Sequence, residues 1–309
     1  MKNCFYNRDI VSIKEFNRDN LDFMFKSTEK LQSLHQNEKM ELARGRNLGY
    51  IFFEPSTRTR LSFEAAMISI GGNSMGIADA KSSSVEKGES LADTVRVIDQ
   101  YSDVIVLRNP LDGSSRFAAE VAEKPVINAG SGTEEHPTQA MVDLYTIQKE
   151  KGRIDGLNIG IIGDLKYGRT VYSLLYGLTN YDVEIHLISP RLLKIRNESI
   201  FDVKNKIKLH EHEVLDDVLK DLDVIYVTRI QKERFSDIQE YEKVKGSYII
   251  NSKVLESAKS DVIVMHPLPR LDEVSHDLDN TSNAKYFKQA AYGKDVRATL
   301  LALVLNENF

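Results

Sequence analysis

Three hydroxyl side chains and two arginines crowd into five consecutive positions, Ser56-Thr57-Arg58-Thr59-Arg60. They follow Phe52-Phe53 and precede apolar residues at Leu61, Phe63, Ala65, Ala66, Met67 and Ile70, with Gly71-Gly72 as a stop. The pattern predicts a buried strand that ends and a helix that opens. The first turn of a helix presents unpaired N–H groups and the positive end of the helix dipole, so it suits an anion. Hydroxyls add donors, and an arginine grips phosphate with a two-pronged fork. Capping explains one hydroxyl at a helix start, but not this density. No G-x-x-x-x-G-K-[ST] loop occurs and no G-x-G-x-x-G follows a strand, Gly160-Ile161-Ile162-Gly163-Asp164 being a faint echo. The anion therefore reads as a phosphate belonging to neither ATP nor NAD.

Other candidates sit at similar places. Arg108 ends the apolar run Val104-Ile105-Val106-Leu107, where open parallel sheets bind ligands. His136-Pro137-Thr138-Gln139 opens a helix, with proline at a favoured first-turn position. Such a histidine can donate to a developing oxyanion, although a lone loop histidine is more often structural. Later, Gly163-Asp164-Leu165-Lys166-Tyr167-Gly168-Arg169, Thr228-Arg229-Ile230-Gln231 and His266-Pro267-Leu268-Pro269-Arg270 each follow a strand-like run. Arg169 and Arg229, taken singly, divide evenly between surface salt bridge and ligand. Their shared position favours a second anionic substrate.

These residues need a scaffold. Non-alternating apolar runs at 48–53, 103–107, 125–128, 158–162, 183–188, 224–227, 248–250 and 262–265 read as strands buried on both faces. Helical patterns lie between several of them. The expected fold class is α/β, two domains, each a mainly parallel sheet flanked by helices. The expected boundaries are 1–148, 149–288 and 289–309, the last an apolar helix (Ala290 to Asn306) returning to the first domain. Asp79 to Glu89 reads as a loop. At 309 residues, two domains are the prior. The single cysteine, Cys4, leaves no disulfide framework and no cysteine-based zinc site within the chain. A net charge of −5 argues against non-specific nucleic-acid binding. The expected location is the cytoplasm, with no secretory leader and no apolar span of membrane length.

Together, the segments from about Arg8 to the C-terminus resemble the carbamoyltransferases, and within them the aspartate-specific branch. The resemblance rests on Ser56-Thr57-Arg58-Thr59-Arg60, Lys87-Gly88-Glu89-Ser90, His136-Pro137-Thr138-Gln139, Asp164 to Arg169, Arg229 to Arg234 and Met265 to Arg270. Ornithine-specific members typically carry cysteine where Pro267 stands. The resemblance implies transfer of the carbamoyl group of carbamoyl phosphate to L-aspartate, a step of de novo pyrimidine synthesis, with no cofactor and no metal. It further implies that Ser56, Thr57, Arg58 and Thr59 hold phosphate, while Thr59, Arg108 and His136 point at the carbonyl oxygen. Gln139 and the carbonyls of Pro267 and Leu268 would hold the amide. Lys87, Arg169, Arg229 and Gln231 would bind aspartate, and Glu54 would pair with Arg234 on closure. Ser83 and Lys87 would come from a neighbouring subunit of a homotrimer, although Glu86 stands where a second lysine often precedes Lys87. Pro110-Leu111-Asp112-Gly113-Ser114-Ser115-Arg116 resembles a loop that docks a zinc-bearing regulatory chain in an allosteric complex; its plain reading is a solvated turn. The rival readings are transfer to another amine such as ornithine, and a non-catalytic phosphometabolite-binding paralogue.

Overall fold

The structure, a computed structural model, describes residues 3–79, 83–232, 235 and 237–309. The chain divides into two compact units, Met1–Val142 with Ala291–Phe309, and Asp143–Ala290.

In the first unit, α1 (Arg18–Ser33) and α2 (Gln36–Glu41) precede β1 (Asn47–Phe52), α3 (Thr57–Ser69) and β2 (Asn73–Ile77). Then come α4 (Leu91–Tyr101), β3 (Val104–Asn109), α5 (Ser114–Val121), β4 (Val126–Ser131) and the start of α6 (Pro137–Lys151). The sheet order is β2-β1-β3-β4, all parallel. Its interior strands carry Leu48, Ile51, Ile105 and Leu107 fully out of water, which is why these runs are apolar on both faces. Helix α3 stops at Gly71, whose φ of +90° favours glycine and whose Cα leaves no room for a Cβ beside the Met40 carbonyl.

The second unit contains the rest of α6, then β5 (Asn158–Ile162), α7 (Arg169–Leu178), β6 (Glu184–Ile188), α8 (Asn197–Val203), β7 (Lys208–His212) and β8 (Val224–Val227). It closes with α9 (Ile238–Val244), α10 (Ser252–Leu255), β9 (Ile263–Met265) and the first turn of α11 (Tyr286–Leu305). Its parallel sheet runs β7-β6-β5-β8-β9. The expected α/β architecture is present, and α11 returns to the first unit: the carbonyls of Leu303 and Asn306 accept from Asn3 at 2.8 and 2.9 Å.

Three local readings need correction. The run 248–250 is not a strand; only Ile250 forms a bridge, with Val274. Strands β2 and β7 were not anticipated. Both are edge strands whose residues are half-buried or exposed, so polar Asn73 and Lys208 cost nothing there. Within the expected loop of residues 79–89, Ser84–Lys87 forms a 3-10 turn, its start capped by the Ser83 hydroxyl accepting from Val85 N–H at 3.4 Å.

Candidate functional site

In the first unit, Ser56 is the residue that begins α3, and its side chain makes no capping hydrogen bond. No acidic residue occupies the first turn, so nothing there offsets the positive end of the dipole. Thr57 and Arg58 are exposed, while Thr59 is buried. Arg60 turns away along the helix, donating to Glu64 at 2.8 Å and lying 5.8 Å from the Tyr50 ring centre. Of the five expected positions, Arg60 is thus engaged along the helix surface, and Ser56 to Thr59 make up the start of the helix.

Arg108 stands one residue before the end of β3, where the register with β4 shifts between Leu107 and Asn109. Its guanidinium donates to the Ala129 carbonyl and to the Glu54 carboxylate, both at 3.2 Å. Glu54 is therefore paired within this unit. Its expected closure partner, Arg234, lies outside the described residues.

His136 is buried and immediately precedes α6, with its carbonyl accepting from Gln139 and Ala140 N–H. Glu135 pins the approach: its carboxylate accepts from the Ser12 hydroxyl at 2.6 Å and Ile13 N–H at 2.9 Å. Burial raises the Glu135 pKa, which those two bonds oppose. The Thr138 hydroxyl lies 3.4 Å from His136 Nδ1. With that hydroxyl donating, the ring proton sits on Nε2 and makes it a donor. Gln139 Oε1 accepts from Arg297 of α11 at 3.3 Å.

Ser83 and Lys87 lie at the two ends of the 3-10 turn, and Lys87 is exposed. In the loop 110–116, Asp112 accepts from Thr133 N–H at 2.7 Å and Gly113 N–H donates to Glu134 at 2.8 Å. Leu111 is left 67% exposed.

In the second unit, Arg169 opens α7 after β5, and the preceding turn is shaped by Asp164, which accepts from Lys166 and Tyr167 N–H. Thr228, Arg229 and Ile230, at the end of β8, line an open cleft together with Tyr241, Tyr248 and Glu273. Gln231, half-buried, follows directly.

Pro267 and Leu268 follow β9 in a turn of unusual backbone. Leu268 has φ +55°, a conformation that a non-glycine residue holds only where its surroundings fix it; its bond to Pro269 is cis. His266 supplies the fixing: Nδ1 accepts from Leu268 N–H at 2.8 Å, so Nε2 donates to Glu273 at 2.8 Å. Burial pushes the His266 pKa down, against the pull of Glu273. Burial alone would raise the Glu273 carboxyl, but bonds from His266 and from backbone N–H groups hold it below its ordinary value. The pair is thus neutral imidazole with ionised carboxylate. Beneath it, Gln289 accepts from His266 N–H at 2.9 Å and donates to Asp143 at 2.7 Å, while Tyr226 donates to the other Asp143 oxygen at 2.8 Å. Arg270 donates to Asp279, at 2.6 Å for one oxygen, and serves to hold the chain after the turn.

Arg297, Glu273, Gln289 and Asp143 were not singled out from sequence. A charged residue inside the apolar stretch 296–304, where Val296 and Leu300 to Val304 are buried, was the available signal for Arg297.

Comparison with known proteins bears on the whole chain. Residues 8–149 match the family described as aspartate/ornithine carbamoyltransferase, carbamoyl-P binding domain, and residues 155–304 match its Asp/Orn binding domain. A relative from Nitrosopumilus maritimus, an aspartate carbamoyltransferase catalytic subunit, is 64% identical over 99% of both chains. The solved catalytic subunit of M. jannaschii aspartate transcarbamoylase superposes with a TM-score of 0.88 at 50% identity, covering 96% of this chain and 97% of that one. The Trypanosoma cruzi aspartate transcarbamoylase solved with carbamoyl phosphate and aspartate superposes with a TM-score of 0.93 at 38% identity over 98% of both chains.

Proposed function

The chain belongs to the aspartate/ornithine carbamoyltransferase family, and on that premise we propose that it transfers the carbamoyl group of carbamoyl phosphate to L-aspartate, a step toward pyrimidines. One observation carries the reading. Anion-binding groups recur at the carboxyl ends of both parallel sheets: Ser56 to Thr59 after β1 and Arg108 on β3, then Arg169 after β5 and Arg229 after β8. That is where open α/β sheets bind ligands. In this reading the first unit grips the donor's phosphate and the second takes a dicarboxylate.

The chemistry follows from the residue types. The aspartate amine attacks the carbamoyl carbon, and charge builds on the carbonyl oxygen. Thr59, Arg108 and His136 stabilise it more than they stabilise the ground state. The C–O bond to phosphate then breaks, with Arg58 and Lys87 offsetting the charge. The departing phosphate accepts the amine proton, since no side chain among the candidates is an evident base. Abolition of turnover by changing one titratable side chain, with binding intact, would overturn that last step. Gln139 and the carbonyls of Pro267 and Leu268 hold the carbamoyl amide, and Arg169, Arg229 and Gln231 hold the acceptor's carboxylates. Glu54 and Arg234 are the proposed closure pair.

Ser83 and exposed Lys87 serve the site of a neighbouring subunit in a homotrimer. The 110–116 loop, with Leu111 outward, docks a zinc-bearing regulatory chain in an allosteric complex. The proposed domain limits are 148 and 288, whereas the two compact units divide after Val142 and Ala290. Among the described residues no helix is long and apolar enough to cross a membrane, and the cytoplasm is the proposed location.

Supplying carbamoyl phosphate with aspartate, ornithine or putrescine and measuring the ureido product tests the assignment. Product with aspartate alone is expected. Product with ornithine alone moves the acceptor, and none with any amine removes the activity.

A further inference from the structure

Arg297 is an arginine almost wholly removed from water, 4% exposed, on the part of α11 that belongs to the first unit. A buried guanidinium is costly unless its surroundings give it bonds, so its partners are informative. Nη2 donates to Oε1 of Gln139 at 3.3 Å, in the first turn of α6. Its Cζ lies 5.3 Å from the ring centre of Phe63 in α3, within the range of a cation–π contact. Arg297 therefore touches the two helices whose first turns carry Ser56 to Thr59 and His136. It is one contact removed from the candidate ligands of the donor.

Space for this arrangement comes from its own helix. Gly293 lies one turn before Arg297, and a Cβ there would stand 2.7 Å from Arg297 Nη1 and 3.8 Å from the Val142 methyls. Glycine in a helix interior costs about 1 kcal/mol relative to alanine. Here its missing methyl is the room in which the guanidinium lies.

We propose that Arg297, seated by Gly293, is a positioning residue for the donor amide: it fixes which way the Gln139 carboxamide points. A glutamine side chain can present either its oxygen or its NH2. With Arg297 donating to one lone pair of Oε1, the oxygen is anchored and its second lone pair is left to accept from the carbamoyl NH2. The inference rests on the carbamoyl-phosphate reading, and it assigns the recognition of amide over bare phosphate to this link. A donor gripped by its phosphate alone would leave the carbonyl carbon poorly oriented for attack.

Gly293→Ala is the informative variant, because it favours the helix and disturbs only the far end of a flexible side chain. The probes are phosphonoacetamide, which keeps the carboxamide and replaces the bridging oxygen by CH2, and inorganic phosphate, which lacks the carboxamide. Both are titrated calorimetrically into the full-length protein. Gly293→Ala is expected to weaken phosphonoacetamide by about tenfold, the scale of one charge-assisted hydrogen bond, with inorganic phosphate unchanged within about twofold and thermal stability undiminished. In a Gln139→Ala background the same change is expected to have no further effect on phosphonoacetamide. Arg297→Met should reproduce the selective loss. Equal weakening of both probes, no weakening of either, or full additivity with Gln139→Ala would overturn the proposal. If the unaltered protein binds neither probe, the carbamoyl-phosphate reading itself fails, a result distinct from the other three.

Discussion

Ser56 begins α3 without using its hydroxyl as a cap, whereas His266 commits both ring nitrogens to holding the turn that follows β9. The difference separates two ways of preparing a site. In the proposed site of the first unit the backbone of a helix start would itself be the binding group, and the side chains need only be of the right type. In the second, the carbonyls of Pro267 and Leu268 are presented by a backbone that helix or strand geometry does not supply. A chain of buried polar groups has to supply it: Glu273, His266, Gln289, Asp143 and Tyr226. The first kind of site should tolerate change in its supports and fail with its ligands. The second should fail with its supports.

Asp143→Ala breaks that contrast most forcefully. It leaves the buried Gln289 amide and Tyr226 hydroxyl without their shared acceptor, an expected loss of about 4 kcal/mol. Denaturant unfolding followed by circular dichroism measures it, and a loss under about 1 kcal/mol would show the network to be dispensable. Arg108→Met tests the other side. It should lower kcat by about a hundredfold or more as an oxyanion donor disappears, with a smaller loss of unfolding free energy, about 1–2 kcal/mol, from the bonds to Glu54 and the Ala129 carbonyl. A stability loss matching the rate loss would make Arg108 a structural residue. Tyr226→Phe removes a single bond to Asp143 and should cost about 1 kcal/mol, visible as a lower midpoint at unchanged m-value.

The smallest effect concerns pH at the exposed edge of the second sheet. His186 Nδ1 lies 3.1 Å from His212 Nε2, and its ring stacks on His210 at 5.1 Å. Burial, then repulsion from His210 and His212, lowers the His186 pKa from its ordinary 6.5, against Glu184 and Asp221. The folded protein therefore binds fewer protons than the unfolded chain just below that value. Stability is fully present above 6.5 and falls as pH drops toward the lower folded value. His186→Gln should flatten this dependence in urea midpoints taken between about pH 7.5 and about pH 5.5; an unaltered slope would place its cause elsewhere.

Legibility in the sequence follows the same division. Ser56 to Thr59 and His136 declare themselves because their chemistry is local: hydroxyls, arginines and a proline at helix starts. Strands β1, β3, β5 and β8 are legible because both faces are buried. Edge strands β2 and β7 are not, since Asn73-Ser74-Met75-Gly76-Ile77 and Lys208-Leu209-His210-Glu211-His212 lack an apolar face. The run 248–250 is apolar enough for a strand, yet only Ile250 finds a bridge partner. The supports of the second site join residues as far apart as Asp143 and Gln289, and Arg297 reaches Gln139 across a similar separation. No local pattern records such pairs, because the fold alone brings them together.

Recognition of the donor's phosphate and of the acceptor's carboxylates is, on this reading, divided between the two units. The most direct measurement of that division is the pair of affinities, for inorganic phosphate and for aspartate in the presence of phosphonoacetamide, in Arg229→Ala. An aspartate loss of roughly tenfold to a hundredfold is expected, the scale of a lost charged hydrogen bond, with phosphate affinity unchanged within about twofold. Undiminished aspartate affinity, or an equal loss for phosphate, would contradict it.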